Sequence, residues 1–107
     1  MVWAKNNEIH LTRGDSARFK VDMALFNNGR SSAYTIDPTD TLTFSVRNDK
    51  ILSFSKEFIG TNIIDIEPND TKSLAPGVYK YEVELHHGTE VYTVVAWSNL
   101  FLEKEVL

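Results

Sequence analysis

The sequence predicts an all-β protein, and more specifically an antiparallel β-sandwich of seven to eight short strands. Three observations lead to this class. Apolar and polar residues alternate in several short runs, with the period of two that a half-buried strand shows. Turn-forming residues separate the runs at intervals of about 8 to 12 residues. No segment combines helical periodicity with a capping pattern. We therefore expect one domain that spans residues 1–107.

Residues 66–97 organise the predicted fold. Residues 68–72 are a proline followed by short polar side chains, and residues 74–77 contain a second proline and a glycine, so both segments are turns. Residues 79–85 then alternate tyrosine, valine and leucine with lysine and glutamate, as expected for a strand. Tyr79 follows the second turn, where sandwich domains often place a tyrosine whose hydroxyl bonds back to the backbone.

Shorter strands are predicted in the first two thirds of the chain. The clearest ones cover residues 17–24 and 42–47, where apolar side chains alternate with charged or hydroxyl side chains. Residues 27–32 read as a loop because they are rich in Asn, Gly and Ser. A helix over residues 52–58 is less favoured than a strand because no capping pattern opens it. The predicted strands in this part are 9–11, 17–24, 34–36, 42–47, 52–58 and 63–66.

A hairpin joins residues 79–85 to a strand over residues 91–97, and two loops are possible. A two-residue loop of His87 and Gly88 would turn Trp97 away from the tyrosine face, whereas a three-residue loop over residues 86–88 would place Trp97 on that face. We favour the longer loop slightly. It leaves an exposed stripe of Tyr92, Val94 and Ala96, which is a candidate contact surface.

Apolar residues also mark the end of the chain and the core. Residues 100–106 form an apolar edge that we expect to pair within this chain or with a neighbouring copy. We expect the rings of Phe19, Phe44 and Tyr81 to lie in a layer shared by two sheets. The candidate protein-contact residues are Tyr92, Val94, Leu100, Leu102 and Val106.

Composition excludes several classes of protein. The chain carries 11 Lys and Arg against 15 Asp and Glu, a net charge of −4, and its basic residues do not cluster, which argues against nucleic acid as a partner. Cysteine is absent, so neither a disulfide nor a thiolate ligand can form. No signal peptide or membrane-spanning run is visible. We expect a soluble protein that is made inside a cell.

The motifs that could support catalysis or metal binding have simpler explanations. No serine lies in a nucleophile elbow, and the glycines are too scattered for a phosphate-binding loop. His86 and His87 are adjacent and would point to opposite faces of a strand. A calcium site from Asp37, Asp40, Asp65, Glu67 and Asp70 is less favoured than carboxylates that bond to turn backbone. We predict no enzymatic activity, no cofactor and no metal.

Two short tripeptides also have simpler explanations. Arg13, Gly14 and Asp15 match an integrin-binding tripeptide, and Asn69 to Thr71 match a glycosylation sequon. A glycine turn and a polar turn account for these two matches.

The chain resembles a small family from phages and prophages of Gram-positive bacteria, whose members are similar to the immunoglobulin-like N-terminal domain of phage baseplate upper proteins. The likeness covers nearly the whole chain. Its residues are Leu11, Arg13, Gly14, Asp15, Ser16 and Phe19; Asp40, Leu42, Phe44 and Val46; Ile66, Pro68, Asp70, Thr71, Leu74, Gly77, Tyr79, Tyr81 and Leu85; and Tyr92, Thr93, Val94, Phe101 and Glu105.

The resemblance implies an immunoglobulin-like fold and a structural or assembly role in a phage or prophage tail or baseplate. Its partners would be other phage structural proteins or further copies of the chain, without nucleic acid or membrane. It would reside in the host bacterial cytoplasm during assembly and in the virion tail once incorporated. The alternative is a carbohydrate-binding or adhesion module, whose mark would be exposed aromatic side chains such as Trp3, Tyr34 or Trp97.

Overall fold

The computed structural model describes residues 2–4 and 7–105, and the chain is all-β as predicted. The described residues form ten strands and one helical turn. The strands are β1 (Val2–Ala4), β2 (Ile9–Thr12), β3 (Ala17–Lys20), β4 (Met23–Asn27), β5 (Arg30–Ala33), β6 (Thr41–Asn48), β7 (Ile51–Ile59), β8 (Ile63–Ile66), β9 (Gly77–His87) and β10 (Glu90–Glu103), and the helical turn is α1 (Pro68–Thr71).

The strands are arranged in three sheets. The largest has the order β2-β10-β9-β6-β7, a second has the order β1-β4-β5, and β3 pairs with β8. Every pair is antiparallel except β2 with β10, which run parallel with Ile9 opposite Leu100. The prediction of an entirely antiparallel fold is therefore wrong for this pair. Alternation reveals which face of a strand is buried but not the direction of its neighbour.

The core lies between the large sheet and the β3–β8 pair. Leu42, Phe44 and Val46 of β6 have no exposed surface. The Phe44 ring is 5.7 Å from the Tyr81 ring and 6.4 Å from the Phe19 ring, measured between centroids. The prediction that Phe19, Phe44 and Tyr81 share an apolar layer is confirmed. Such aromatic contacts bury large apolar areas and hold the sheets in register.

The turn between β8 and β9 is fixed by hydrogen bonds. Asp70 accepts the backbone N–H of Glu67 at 2.7 Å and so closes the start of α1. The Tyr79 hydroxyl donates to the Ala75 carbonyl at 2.6 Å, and Tyr79 is buried. The predicted back-bonding tyrosine is therefore confirmed.

The hairpin between β4 and β5 replaces the loop predicted at residues 27–32. Its turn is formed by Asn28 and Gly29, which have φ of 52° and 75°. Two successive positive φ values are the geometry that Asn-Gly favours between antiparallel strands. The predicted strand at residues 34–36 is not formed in the structure.

The hairpin between β9 and β10 uses neither of the two predicted loops. His87 lies opposite Glu90, so Gly88 and Thr89 form the loop. The two final predicted strands are one strand, β10, which extends over 14 residues. Its register with β9 shifts twice, between Thr93 and Val95 and between Val95 and Ser98. Each irregularity changes which side chains face the core.

Candidate functional site

The outer face of the large sheet is the surface that offers a site. Tyr79, Tyr81, Val83 and Leu85 of β9 are buried against the core. Because side chains alternate along a strand, Lys80, Glu82 and Glu84 project from the opposite face. The neighbouring strands β6 and β10 add Arg47 and Trp97 to this face.

A group that we call the Trp97 patch lies at one end of this face. It consists of Arg47, Asp49, Lys50, Lys80 and Trp97, which line a shallow depression of about 370 Å³. The register brings the parts together, because Arg47 lies opposite Lys80 across β6 and β9, and Lys80 lies opposite Asn99 across β9 and β10. The Lys80 Nζ donates to the Asn99 side-chain oxygen at 2.5 Å.

Trp97 and Arg47 form the centre of the patch. The guanidinium carbon of Arg47 lies 5.2 Å from the centroid of the indole, which is within the range of a cation–π contact. Arg47 Nε has no exposed surface and no hydrogen-bond partner among the described residues. Trp97 is nevertheless 41% exposed. The guanidinium therefore lies beneath the indole, and the other face of the indole is open to solvent.

The irregularities of β10 bury two adjacent side chains and leave the next two, Ala96 and Trp97, both exposed. Val94 and Val95 are adjacent and both buried, with 2% and 4% of their surface exposed, which regular alternation does not allow. The prediction of an exposed stripe through Tyr92, Val94 and Ala96 is thus wrong for Val94, while Ala96 is exposed and Tyr92 is half-buried. The bulge is not visible in the amino-acid pattern, so the burial of Val95 next to Val94 could not be derived from it.

The end of β10 is part of the core and not a free docking strand. Leu100 and Leu102 are buried, and β10 pairs on both sides, with β9 and with β2. Of the two options left open by the sequence, pairing within the chain is the one observed. Val106 lies outside the described residues. The hydroxyl of Tyr92 donates to Glu90. Of the predicted contact residues that the structure describes, none lines the Trp97 patch.

A second polar group surrounds Asp40, just before β6. This carboxylate has no exposed surface, and it accepts hydrogen bonds from the Tyr34 hydroxyl at 2.5 Å and the Asp37 N–H at 3.0 Å. Its other oxygen lies 2.6 Å from Nδ1 of His87. Burial alone would raise the pKa of Asp40, but the hydrogen bonds from Tyr34, Asp37 and His87 hold it below the ordinary value.

The ligand atoms of Asp37, Asp40 and His87 lie within 4.8 Å of one another. The predicted acidic group is only partly assembled, since Asp65 pairs with Arg18 at 3.1 Å and Asp70 pairs with Lys56 at 2.8 Å. The Asp40 oxygens are already occupied by hydrogen bonds within the chain. We therefore interpret this group as a connection between the end of β9 and the turn before β6.

The remaining sequence motifs have local structural roles. Arg13 forms an ion pair with Glu105 and donates to the Leu74 carbonyl, and Gly14 donates its N–H to the Thr71 hydroxyl at 2.9 Å. The integrin-like tripeptide therefore forms a turn whose arginine is engaged within the chain. His10 stacks on Phe101 with the ring centroids 4.7 Å apart, in a contact separate from the bonds of His87 to Asp40.

A larger cavity of about 440 Å³ lies between β2 and β3. Its floor is apolar and includes Phe44, Ile64 and Val83. Lys20 and Asp22 at its rim are exposed, and Nζ of Lys20 lies 3.6 Å from the Asp22 carboxylate. This arrangement can hold an apolar group but brings no pair of ionisable side chains onto the apolar floor.

No helix in residues 7–105 has the length and apolar character needed to cross a membrane. No protein-family model matches the chain, and neither a curated protein nor a solved structure matches it at a significant level.

Proposed function

We propose that this chain is an immunoglobulin-like binding module without enzymatic activity, which joins partner proteins during assembly of a phage or prophage tail or baseplate. Its location would be the host cytoplasm during assembly and the virion tail afterwards.

The strand order supports the immunoglobulin-like part of this proposal. In immunoglobulin-like sandwiches the last two strands pair next to the third strand, and variable-type domains extend that sheet by a further strand. Here β10, β9, β6 and β7 are neighbours in that order, and β3 with β8 covers their inner face. Tyr79 matches the tyrosine corner of these domains, and Tyr81 lies two residues later, where antibody domains have a cysteine. No disulfide joins the layers here; Phe44, which contacts Tyr81 within the large sheet, also contacts Phe19 of β3 and so packs the two layers together.

The Trp97 patch is the observation that carries the binding role. Tryptophan and arginine are enriched at the centres of protein interfaces, where truncating them costs most affinity. Among the described residues, seven large apolar side chains are exposed, and Ile51, Leu52, Val78 and Trp97 lie at the end of the sheet that carries Arg47 and Lys80. This concentration of exposed apolar surface is typical of a contact site.

The phage role is supported by the resemblance to baseplate domains. Several residues that carry it have structural functions here, such as Gly14 in the β2–β3 turn and Tyr79 at its corner. The resemblance therefore supports the fold more strongly than it supports a particular partner. Genes next to the coding sequence are the natural source of candidate partners.

Co-expression with the products of those genes tests the proposal. We expect a tail or baseplate protein to co-purify with the tagged chain, and we expect Trp97→Ala to abolish this. Val91→Ala is the matched control, because Val91 is an exposed apolar residue at the other end of the same strand. Equal co-purification of all three forms would contradict the role of the patch.

Carbohydrate binding is a second candidate, favoured by the open face of the indole. A flat aromatic ring flanked by Asp49, Lys50 and Asn99 resembles the surface on which sugar rings stack. A glycan array separates the candidates: specific binding that is lost in Trp97→Ala favours this function, and an array without hits removes it.

A further inference from the structure

The cations of the Trp97 patch lack the carboxylate partners that several other cations have. Arg13, Arg18, Lys20 and Lys56 each form an ion pair within the chain. In residues 7–105, no carboxylate lies within ion-pair distance of Arg47, Lys50 or Lys80. Three cations without an ion pair in the described residues thus line the same depression as Trp97.

Carboxylates near the patch offset only part of its positive charge. Asp49 is the one acidic residue that lines the depression, beside three cations. Glu82 is the next acidic residue along β9, and its pKa is raised, by burial first and then by the charge of Glu84, although Arg47 opposes the shift. The chain as a whole has a net charge of −4. The patch therefore has the opposite sign to the rest of the molecule.

Arg47 is held ready for an anionic group. The indole of Trp97 lies over its guanidinium carbon, and Nε of that guanidinium is buried without a hydrogen-bond partner within the described residues. A planar guanidinium in a fixed position suits the two oxygens of a carboxylate, and fixing it beforehand reduces the entropy lost on binding.

Aliphatic side chains beside the cations favour a protein over a polysaccharide. Leu52 is 49% exposed and lies opposite Arg47, and Val78 is 58% exposed and lies two residues before Lys80. Aliphatic groups gain from contact with apolar side chains, which an acidic polysaccharide does not offer.

We infer that the Trp97 patch binds an acidic protein surface, in which carboxylates meet Arg47, Lys50 and Lys80 and apolar side chains cover Trp97, Leu52 and Val78. This inference rests on the proposed function of the patch and names the chemistry of the partner. The negative charge of the remaining chain repels the same partner elsewhere, so the charges also orient the complex.

A titration followed by NMR tests the inference on the whole chain. The probes are poly-L-glutamate, poly-L-lysine of the same length and polygalacturonate, which is an acidic polysaccharide. We expect poly-L-glutamate to shift the indole N–H signal of Trp97 and the amide of Lys80, and to bind about tenfold more weakly to Lys80→Glu. Arg30→Glu is the control, because Arg30 is an exposed cation on β5. Unchanged thermal unfolding verifies that each variant is folded.

Four results of the titration would overturn the inference. Preference for poly-L-lysine, tighter binding of polygalacturonate, self-association through the patch, or no binding of poly-L-glutamate at low salt would all contradict an acidic protein partner. Co-purification of the partner distinguishes failure of the inference from failure of the proposed function. If Trp97→Ala abolishes co-purification and Lys80→Glu does not, the inference fails and the proposed function stands. If neither variant has an effect, the proposed function fails.

Discussion

The imidazole Nδ1 of His87 lies 2.6 Å from the carboxylate of Asp40, a residue with no exposed surface. This contact joins the end of β9 to the turn that precedes β6. Tyr34 binds the other oxygen of the same carboxylate, and the Asp40 carbonyl accepts the N–H of Gly60 at 2.8 Å. Asp40 therefore contacts three other segments, of which those at Gly60 and His87 are distant from it in sequence.

The His87–Asp40 pair makes stability dependent on pH. The pKa of His87 is raised by its hydrogen bond with Asp40 and then by the Asp40 charge. A raised histidine pKa stabilises the folded state below the unfolded value of about 6.5, and this stabilisation is lost as pH rises through the folded pKa. The lowered pKa of Asp40 stabilises the folded state above about pH 4, and this stabilisation is lost as pH falls through the folded pKa.

We expect the free energy of unfolding, measured with urea, to fall as pH rises from about 6.5 through the raised pKa of His87. His87→Asn should remove most of this fall. His86→Asn is the control, since His86 faces Glu84 on the outer side of the sheet. A fall of equal size in wild type and His87→Asn would show that another group is responsible.

Asp40→Asn should destabilise the protein at neutral pH. The amide oxygen can still accept from Tyr34 and Asp37, but the amide nitrogen is a donor and cannot accept from His87, so the buried side chain loses its charge and the hydrogen bond from His87, at a cost of about 1 to 3 kcal/mol. The measurement is the urea midpoint at pH 7. A midpoint equal to that of wild type would mean that the buried carboxylate contributes nothing to the fold.

Tyr79→Phe should cost about 1 kcal/mol, because the Ala75 carbonyl loses its hydrogen bond while the ring still fills its place in the core. Tyr92→Phe removes an exposed bond to Glu90 and should change the free energy of unfolding by less than about 0.5 kcal/mol. Chemical denaturation of both variants gives the comparison. Equal changes in the free energy of unfolding of the two variants would contradict a stabilising role for the hydrogen bond of Tyr79.

A chain that ends at Asn99 should fail to fold. It lacks Leu100 and Leu102, which are both buried, and loss of two core leucines costs about 4 to 10 kcal/mol, comparable with the total stability of a small domain. Circular dichroism and thermal unfolding check this. Glu103→Gln in the full chain is the control, because Glu103 is exposed. A truncated chain that melts at the wild-type temperature would contradict the assignment of this segment to the core.

The sequence predicted two long strands whose faces differ in polarity, whereas the strand predicted over residues 17–24 is divided between β3 and β4. Residues 42–47 and 79–85 alternate without interruption, and both appear as strands with their apolar residues buried. Tyr79 was predicted because a tyrosine after a tight corner has one typical partner, the backbone just before it. These features depend on local pattern alone.

The site could not be predicted in the same way. Around the irregularities of β10, Val94 and Val95 are both buried and Ala96 and Trp97 are both exposed, and an extra residue in a strand leaves no mark on composition. Arg47, Lys80 and Trp97 meet only through the pairing of three strands. The β4–β5 hairpin, by contrast, could be predicted, because Asn28-Gly29 is a strong hairpin signal. The prediction of a loop over residues 27–32 does not use this signal.

Hydrogen–deuterium exchange of the protein, alone and in complex with its co-purified partner, tests the central claim most directly. The account predicts that binding protects amides in residues 47–52, 78–80 and 97–99, which surround the Trp97 patch, and leaves the β4–β5 hairpin unchanged. Protection of β4 and β5 with no change around Trp97 would contradict it.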